Sequence, residues 1–245
     1  MKPSRPIGRK NYGSIPHLSN SKLGDGDYLI GEGQEQILTL KKRDKHDIII
    51  VSEKYDGSNV GVAKHNNKIY VLTRSGYEAA TSPYKQHHMF AEFIAEREPL
   101  FYEMLSNGER ITGEWMAQAH GLIYKITGDP IVFFDYFDSK NERLTHDKLI
   151  EKAIKYNLQL PRCLHIGNSV KVEDILPVLK EKTKSIESIG DPEGMVYRVE
   201  RHGKVDFLAK WVRNDFPTGQ FCINIEEQDL IYNIDHRSQN HHTTK

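Results

Sequence analysis

Ser52-Glu53-Lys54-Tyr55-Asp56-Gly57-Ser58-Asn59 joins two apolar runs, Asp47-Ile48-Ile49-Ile50-Val51 before it and Val60-Gly61-Val62-Ala63 after it. β-Branched residues dominate both runs and Asp-Gly is a strong turn signal, so the segment reads as strand, lysine, turn, strand. A lysine at the mouth of a sheet is held rigidly and partly desolvated. Desolvation and cationic neighbours lower an amine's pKa, which is how a lysine becomes a nucleophile near neutral pH. Taken alone, the segment is equally an ordinary hairpin with a polar turn.

Outward from it, Lys68-Ile69-Tyr70-Val71-Leu72-Thr73 reads as a further strand, with Asn66-Asn67 as the hairpin turn before it. A helix is predicted over 84–98, stopped by Pro99, and strands over 110–115 and 130–137. Thr145 is a plausible cap for a helix reaching Tyr156, with Leu149, Ile150, Ala153 and Ile154 on one face. Another helix is predicted over 172–182, after Ser169. The last clear unit is a hairpin over 195–200 and 205–212, turning at His202-Gly203. Strands that arrive as hairpins with helices between them predict α+β with antiparallel sheets, not a doubly wound fold.

The 245 residues suit one large domain with a modest appendage, and 34 Lys+Arg balance 34 Asp+Glu. Zero net charge argues against a DNA-coating protein but permits a locally basic groove. There is no apolar run of membrane length, no secretory signal, and no phosphate loop, H-E-x-x-H or Gly-x-Ser-x-Gly motif. Cys163 and Cys222 exclude a disulfide framework, so a cytoplasmic protein is expected. Residues 1–33 read as a loop-rich wrap. Within it, Lys2, Arg5, Arg9 and Lys10 carry no neighbouring acid and read as a solvated arm, or alternatively as a polyanion contact. His87-His88 and His241-His242 read as surface or tail residues.

The Lys54 segment resembles the first motif of the covalent nucleotidyltransferase superfamily, the ATP-dependent ligases and mRNA capping enzymes, whose lysine becomes linked to a nucleotide. The superfamily's other motifs follow in order. Thr73-Arg74-Ser75-Gly76 resembles the arginine motif, Gly113-Glu114-Trp115 the strand carboxylate, and Phe133-Phe134-Asp135-Tyr136-Phe137-Asp138 the aromatic-Asp motif. Glu193-Gly194-Met195-Val196 resembles the E-G motif, and Phe207-Leu208-Ala209-Lys210-Trp211-Val212-Arg213 the final lysine motif. The ordered set is far more specific than any single member. DNA ligases and capping enzymes typically carry arginine two residues after the motif glycine. Here Asn59 stands there, as in the ATP-dependent RNA ligase family, which also commonly has Glu before the lysine, as at Glu53.

The resemblance implies a nucleotidyltransferase fold with antiparallel sheets flanking a nucleotide pocket, over 34–213. It implies an ATP-dependent RNA ligase that joins 5′-phosphate and 3′-hydroxyl ends through lysyl-AMP and RNA-adenylate. The alternatives are a DNA-nick ligase, a capping guanylyltransferase, or a non-catalytic nucleic-acid-binding module. Lys54 would be the nucleophile, Lys210 would neutralise the α-phosphate, and Asp56 and Glu193 would hold Mg²⁺, with Mn²⁺ as a substitute, directly or through water. Phe134 would stack on adenine, with core packing the alternative given Phe133 and Phe137 beside it. Glu53 would accept from the adenine amino group and Glu114 from the ribose, although an ordinary strand-end carboxylate also explains Glu114 and Asp135. Arg74 and Asn59 would engage the phosphates and the RNA end. The implied partners are RNA ends or nicked RNA and an end-healing kinase or phosphatase, with no membrane. Two departures stand out. Val212 occupies the second lysine place of the final motif, with Arg213 after it, and residues 214–245 form only a short extension, too small for an OB domain.

Overall fold

The computed structural model describes residues 4–181 and 186–234. A short helix α1 (Glu32–Thr39) precedes strands β1 (Asp47–Lys54), β2 (Ser58–His65) and β3 (Lys68–Thr73). Helices α2 (Lys85–Ala95) and α3 (Glu98–Met104) lead to β4 (Arg110–Trp115), β5 (Ile123–Ile126) and β6 (Ile131–Phe137). Then come α4 (His146–Tyr156), β7 (Cys163–Gly167), α5 (Val172–Leu179), β8 (Ile186–Ile189), β9 (Gly194–Arg201) and β10 (Lys204–Val212).

The strands form two four-stranded sheets, ordered β10-β9-β1-β7 and β3-β2-β4-β6, and a β5-β8 pair. Every named strand pair is antiparallel. β1 and β2 are neighbours in sequence but belong to different sheets, so Tyr55-Asp56-Gly57 is a crossing between sheets and not the turn of a hairpin. Gly57 is needed there for close approach, because a Cβ would run into the Trp115 carbonyl. The predicted hairpin turns do form: Asn66 and Asn67 have φ of 49° and 57°, and His202 and Gly203 have 49° and 72°, the left-handed pair that a two-residue hairpin turn requires.

Alternation divides β1, β9 and β10 into two faces. Ile49, Val51, Tyr197, Val199 and Ala209 pack with Leu38 of α1 and Leu179 of α5. Each fully buried Ile, Val or Leu among them contributes about 1.5–3 kcal/mol. The register Ile50–Arg198–Leu208 and Ser52–Val196–Lys210 forms the opposite face, which borders a cavity between the sheets. The second sheet rests on α2 and α3 through Phe90, Phe93, Phe101, Trp115 and Phe133.

Several expectations change. The single helix over 84–98 is two: α2 ends at Ala95, and Pro99 lies in the first turn of α3, where its missing N–H costs nothing. α5 ends at Leu179, short of the predicted 182, a residue outside those described. Thr145 occupies the N-cap of α4 without a side-chain capping bond; the His146 N–H in the first turn donates instead to Glu200 Oε1 at 2.6 Å. The strand predicted over 205–212 is not regular: a bulge between Val205 and Phe207 puts Val205 opposite Glu200, on the same face as Lys210. Short α1, β5, β7 and β8 were not anticipated, and after β10 the described residues form a 3₁₀ turn at Glu227–Asp229. No helix among the described residues is long and apolar enough to cross a membrane.

Candidate active site

Lys54 ends β1 at the sheet crossing, and its Nζ donates to Glu193 Oε2 at 2.7 Å. Glu193 immediately precedes β9, whose first residue Gly194 pairs with Lys54. A Cβ at Gly194 would collide with the Trp211 carbonyl, so the Glu-Gly order lets the strands close beside the carboxylate. Glu114 comes from β4, opposite Asn59, and its Oε1 accepts the Gly57 N–H at 3.2 Å. Asp56 Oδ2 accepts the N–H groups of Gly121 at 2.6 Å and Leu122 at 3.0 Å.

Charge is concentrated here. Burial pushes the pKa of both Glu114 and Glu193 up to about 7, against the pull of Lys54. The expected depression of the Lys54 pKa is reversed. Burial works against its charge, but Glu193, then Glu114 and Asp56, hold its pKa above the usual lysine value. Lys210 is the depressed amine, through burial and then repulsion from Lys54.

A bulge on β6 decides among the aromatics. Thr112 pairs with Asp135 and Gly113 with Phe133, which leaves Phe134 as the extra residue. Phe133 turns into the core, 6.0 Å from Phe101, while Phe134 borders the cavity with Tyr12 edge-on at 5.2 Å. Asp135 lies behind it, 1% exposed. It accepts from Tyr12 Oη at 2.7 Å and Arg143 Nε at 2.9 Å, and pairs closely with Arg198.

Glu53 borders the cavity, but alternation turns its carboxylate away from the Lys54 face of β1. Its Oε2 accepts from Arg162 Nε at 3.0 Å, and Arg162 in turn donates to the carbonyls of Leu179 and Glu181, each at 2.6 Å. The carboxylate expected to receive an adenine amino group is thus committed to the end of α5. Arg213, by contrast, does not line the cavity. Its Nε donates to Pro192 O at 3.0 Å and its backbone N–H to Glu193 O at 3.1 Å, so it braces the loop that delivers Glu193 and does not replace the missing lysine.

Asn59 and Arg74 border both this cavity and a second cleft. Arg74 Nη2 donates to Ser14 Oγ at 3.0 Å, and Asn59 Oδ1 is buried without a hydrogen-bond partner. Lys10, Tyr77, Tyr84 and His87 line the cleft. His87 is therefore not a plain surface residue: it is half-buried, lies 2.6 Å through Nδ1 from Ser82 Oγ, and burial lowers its pKa to about 4. His88 is exposed as expected, and His241-His242 and Lys2 lie outside the described residues.

The donor set suits a hard divalent cation shared with phosphates. Among the described residues no cluster of three or more His, Cys, Asp or Glu could hold a metal on its own. Among the described residues Asp56 accepts only through Oδ2, and Glu193 is an undercompensated carboxylate close by. Mg²⁺ is characteristically held by one or two carboxylates plus substrate oxygens.

The residues missed by sequence reasoning are Tyr12, Asp27, Arg143, Arg162 and Arg198. Arg198 left the clearest trace: it alternates with Tyr197 and Val199 inside an apolar strand, where an unpaired cation would be costly.

Two antiparallel sheets enclosing a lysine, its carboxylates and an aromatic wall define the class, an α+β nucleotidyltransferase fold of the ligase type. The family model described as RNA ligase matches residues 47–212, and the chain belongs to the RNA ligase family. Among solved structures, the Naegleria gruberi RNA ligase with PPi is 17% identical over 84% of this chain and 58% of that chain, with a TM-score of 0.53. A lysine-to-alanine mutant of the same ligase with ATP and Mn is 15% identical over 86% of this chain and 61% of that chain, again at 0.53. The chain thus spans about three fifths of the length of these structures, and at such identities the likeness speaks to the fold. No curated protein matches the chain.

Proposed function

We propose that this chain is an ATP-dependent RNA ligase that joins an RNA 5′-phosphate to a 3′-hydroxyl. The observation that carries the reading is the Lys54–Glu193 contact of 2.7 Å beside Phe134 and Lys210 in a chain of the RNA ligase family. Glu193 accepts the Lys54 proton, and the freed amine attacks the α-phosphorus of ATP. The N–P bond forms as the bond to pyrophosphate breaks. An oxygen of the RNA 5′-phosphate then displaces Lys54 and takes up the AMP. The 3′-hydroxyl finally attacks the activated 5′-phosphate, loses its proton and releases AMP.

Phe134 offers its face to adenine, Glu114 accepts from the ribose hydroxyls, and Lys210 offsets charge developing on the α-phosphate. Asp56 and Glu193 would hold a divalent cation, Mg²⁺ or Mn²⁺, which when bound shields the phosphates. Asn59 and Arg74 lead from this cavity into the second cleft, whose Lys10, Tyr77 and Tyr84 suit phosphate and base contacts of a single RNA strand. The substrates are RNA ends or nicked RNA. An end-healing kinase or phosphatase is the class of enzyme that would prepare such termini. The free thiols of Cys163 and Cys222 accord with a cytoplasmic setting.

Incubation with radiolabelled ATP or GTP and Mg²⁺, followed by denaturing electrophoresis, tests the reading. ATP is expected to label the protein, and Lys54→Ala to abolish the label. Labelling by GTP would point to guanylyl transfer, and labelling that persists in Lys54→Ala would move the nucleophile elsewhere.

A further inference from the structure

Lys210 is gripped from two sides by a segment to which neither the sequence motifs nor the proposed chemistry gives a task. Its backbone is paired on the edge of β10: Lys210 N–H donates to Pro16 O at 2.9 Å, and Leu18 N–H donates to Lys210 O at 2.8 Å. Nearby, Val212 N–H donates to Ser21 Oγ at 2.9 Å. The Lys210 side chain reaches back to the same segment, with Nζ 3.2 Å from Asp27 Oδ1.

The Asp27 carboxylate is itself fixed. Gly24 N–H donates to its Oδ2 at 3.0 Å, and Asp27 N–H returns a bond to Gly24 O at 3.1 Å. The turn needs the left-handed backbone of Gly26, at φ 77°. Oδ2 also lies 3.1 Å from Nε2 of the buried His17, whose Nδ1 is 2.7 Å from Ser21 Oγ. A rigid turn therefore aims this carboxylate. Around the Lys210 ammonium stand Lys54 from β1, Glu193 from the loop before β9, and Asp27 and His17 from the N-terminal segment. Glu193 already accepts from Lys54, so Asp27 is the counter-ion left to Lys210.

We propose that Asp27 is a positioning residue for Lys210: through it the N-terminal segment keeps the ammonium extended and charged beside Lys54, ready for the α-phosphate. An ammonium has three donors, so the contact with Asp27 leaves others for a phosphate. The inference rests on the ligase reading, which gives Lys210 its phosphate. Burial and Lys54 both disfavour the charge of Lys210, and removal of Asp27 leaves only Glu193, already engaged by Lys54, to oppose them.

Asp27→Asn preserves the size of the turn and an acceptor for Gly24 N–H while removing the charge. Trace acylation of the full chain across pH, read peptide by peptide by mass spectrometry, follows the Lys210 amine without requiring activity. Its midpoint is expected to move to lower pH by about one unit in Asp27→Asn, while the exposed Lys41 is unmoved. The alkaline limb of Lys54 self-adenylylation should move the same way. Lys210→Arg added to Asp27→Asn should restore that limb, because a guanidinium stays charged throughout. An unmoved Lys210 midpoint overturns the proposal, as does a uniform loss of labelling that arginine does not rescue. Faster labelling at every pH overturns it too, since Asp27 would then be a competitor of the phosphate. Absence of labelling in the unaltered chain defeats the ligase reading instead, and the acylation midpoint still decides the role of Asp27.

Discussion

Lys54 and Glu193 are separated by 139 positions in the chain, yet Nζ and Oε2 lie 2.7 Å apart. The antiparallel register of β1 and β9 sets the pair: Lys54 stands opposite Gly194, so the residue before Gly194 reaches the end of β1. The contact keeps the amine protonated, and it also supplies a base whose own pKa burial pushes up to about 7. In the proposed chemistry, one strand pairing thus delivers both nucleophile and proton acceptor.

Glu193→Gln retains the size of the side chain and removes the base. Self-adenylylation of Lys54 should fall by about 100-fold at neutral pH, the ordinary contribution of a positioned acid–base group. Single-turnover labelling with ATP measures it. A rate within twofold of the unaltered chain would show that another group takes the Lys54 proton.

Asn59 borders both cavities and buries an oxygen with no partner, so it is poised for a group that arrives with the RNA. Asn59→Ala should retain more self-adenylylation than overall sealing of 5′-phosphorylated RNA. Equal losses in the two assays would assign the residue to the nucleotide.

The site was legible where its chemistry depends on residues close in sequence. Lys54, Asp56 and Asn59 stand out together because one short segment carries them all, whereas Phe134 was separable from Phe133 only once the β6 bulge was seen. The strand over 205–212 was legible, but its bulge at 205–207 was not, since no local pattern marks it. The direction of the Lys54 pKa was not legible, because it depends on Glu114 and Glu193 arriving from other strands. The same holds for Asp27, whose only signal is a Gly-rich turn, and for Arg162, which gains its meaning only when β7 brings it against Glu53. Short elements such as β5 and β8 lack the length for a period to register, and their pairing with each other supplies the order.

Asp135 is the buried acceptor shared by Tyr12, Arg143 and Arg198. Asp135→Ala would leave the buried Arg198 and the half-buried Arg143 without that carboxylate, which for a buried pair costs about 3–5 kcal/mol. The midpoint of urea unfolding reads the loss. A change below about 1 kcal/mol, the scale of an exposed pair, would mean that solvent replaces the carboxylate and that the hub does not hold the two sheets together.

RNA engagement should be more salt-sensitive than nucleotide chemistry, because the two depend on different charges. The chain carries no net formal charge, so attraction to RNA must come from local cations, and Lys10 and Arg74 face the second cleft. Each phosphate they neutralise releases counterions, with a log–log slope of about −0.7 per contact on a single strand. Two such contacts lower RNA affinity about sevenfold between 50 and 200 mM salt. ATP enters a cavity where Lys54 and Lys210 are largely shielded from solvent, and buried charges are screened much less than exposed ones. Sealing with RNA below its apparent KM should therefore weaken well before Lys54–AMP formation does, across one salt series at fixed Mg²⁺. Lys10→Ala should flatten the sealing curve while leaving the labelling curve in place. A parallel decline of both activities would put the salt-sensitive step in the nucleotide cavity, and the second cleft would then have no part in holding RNA.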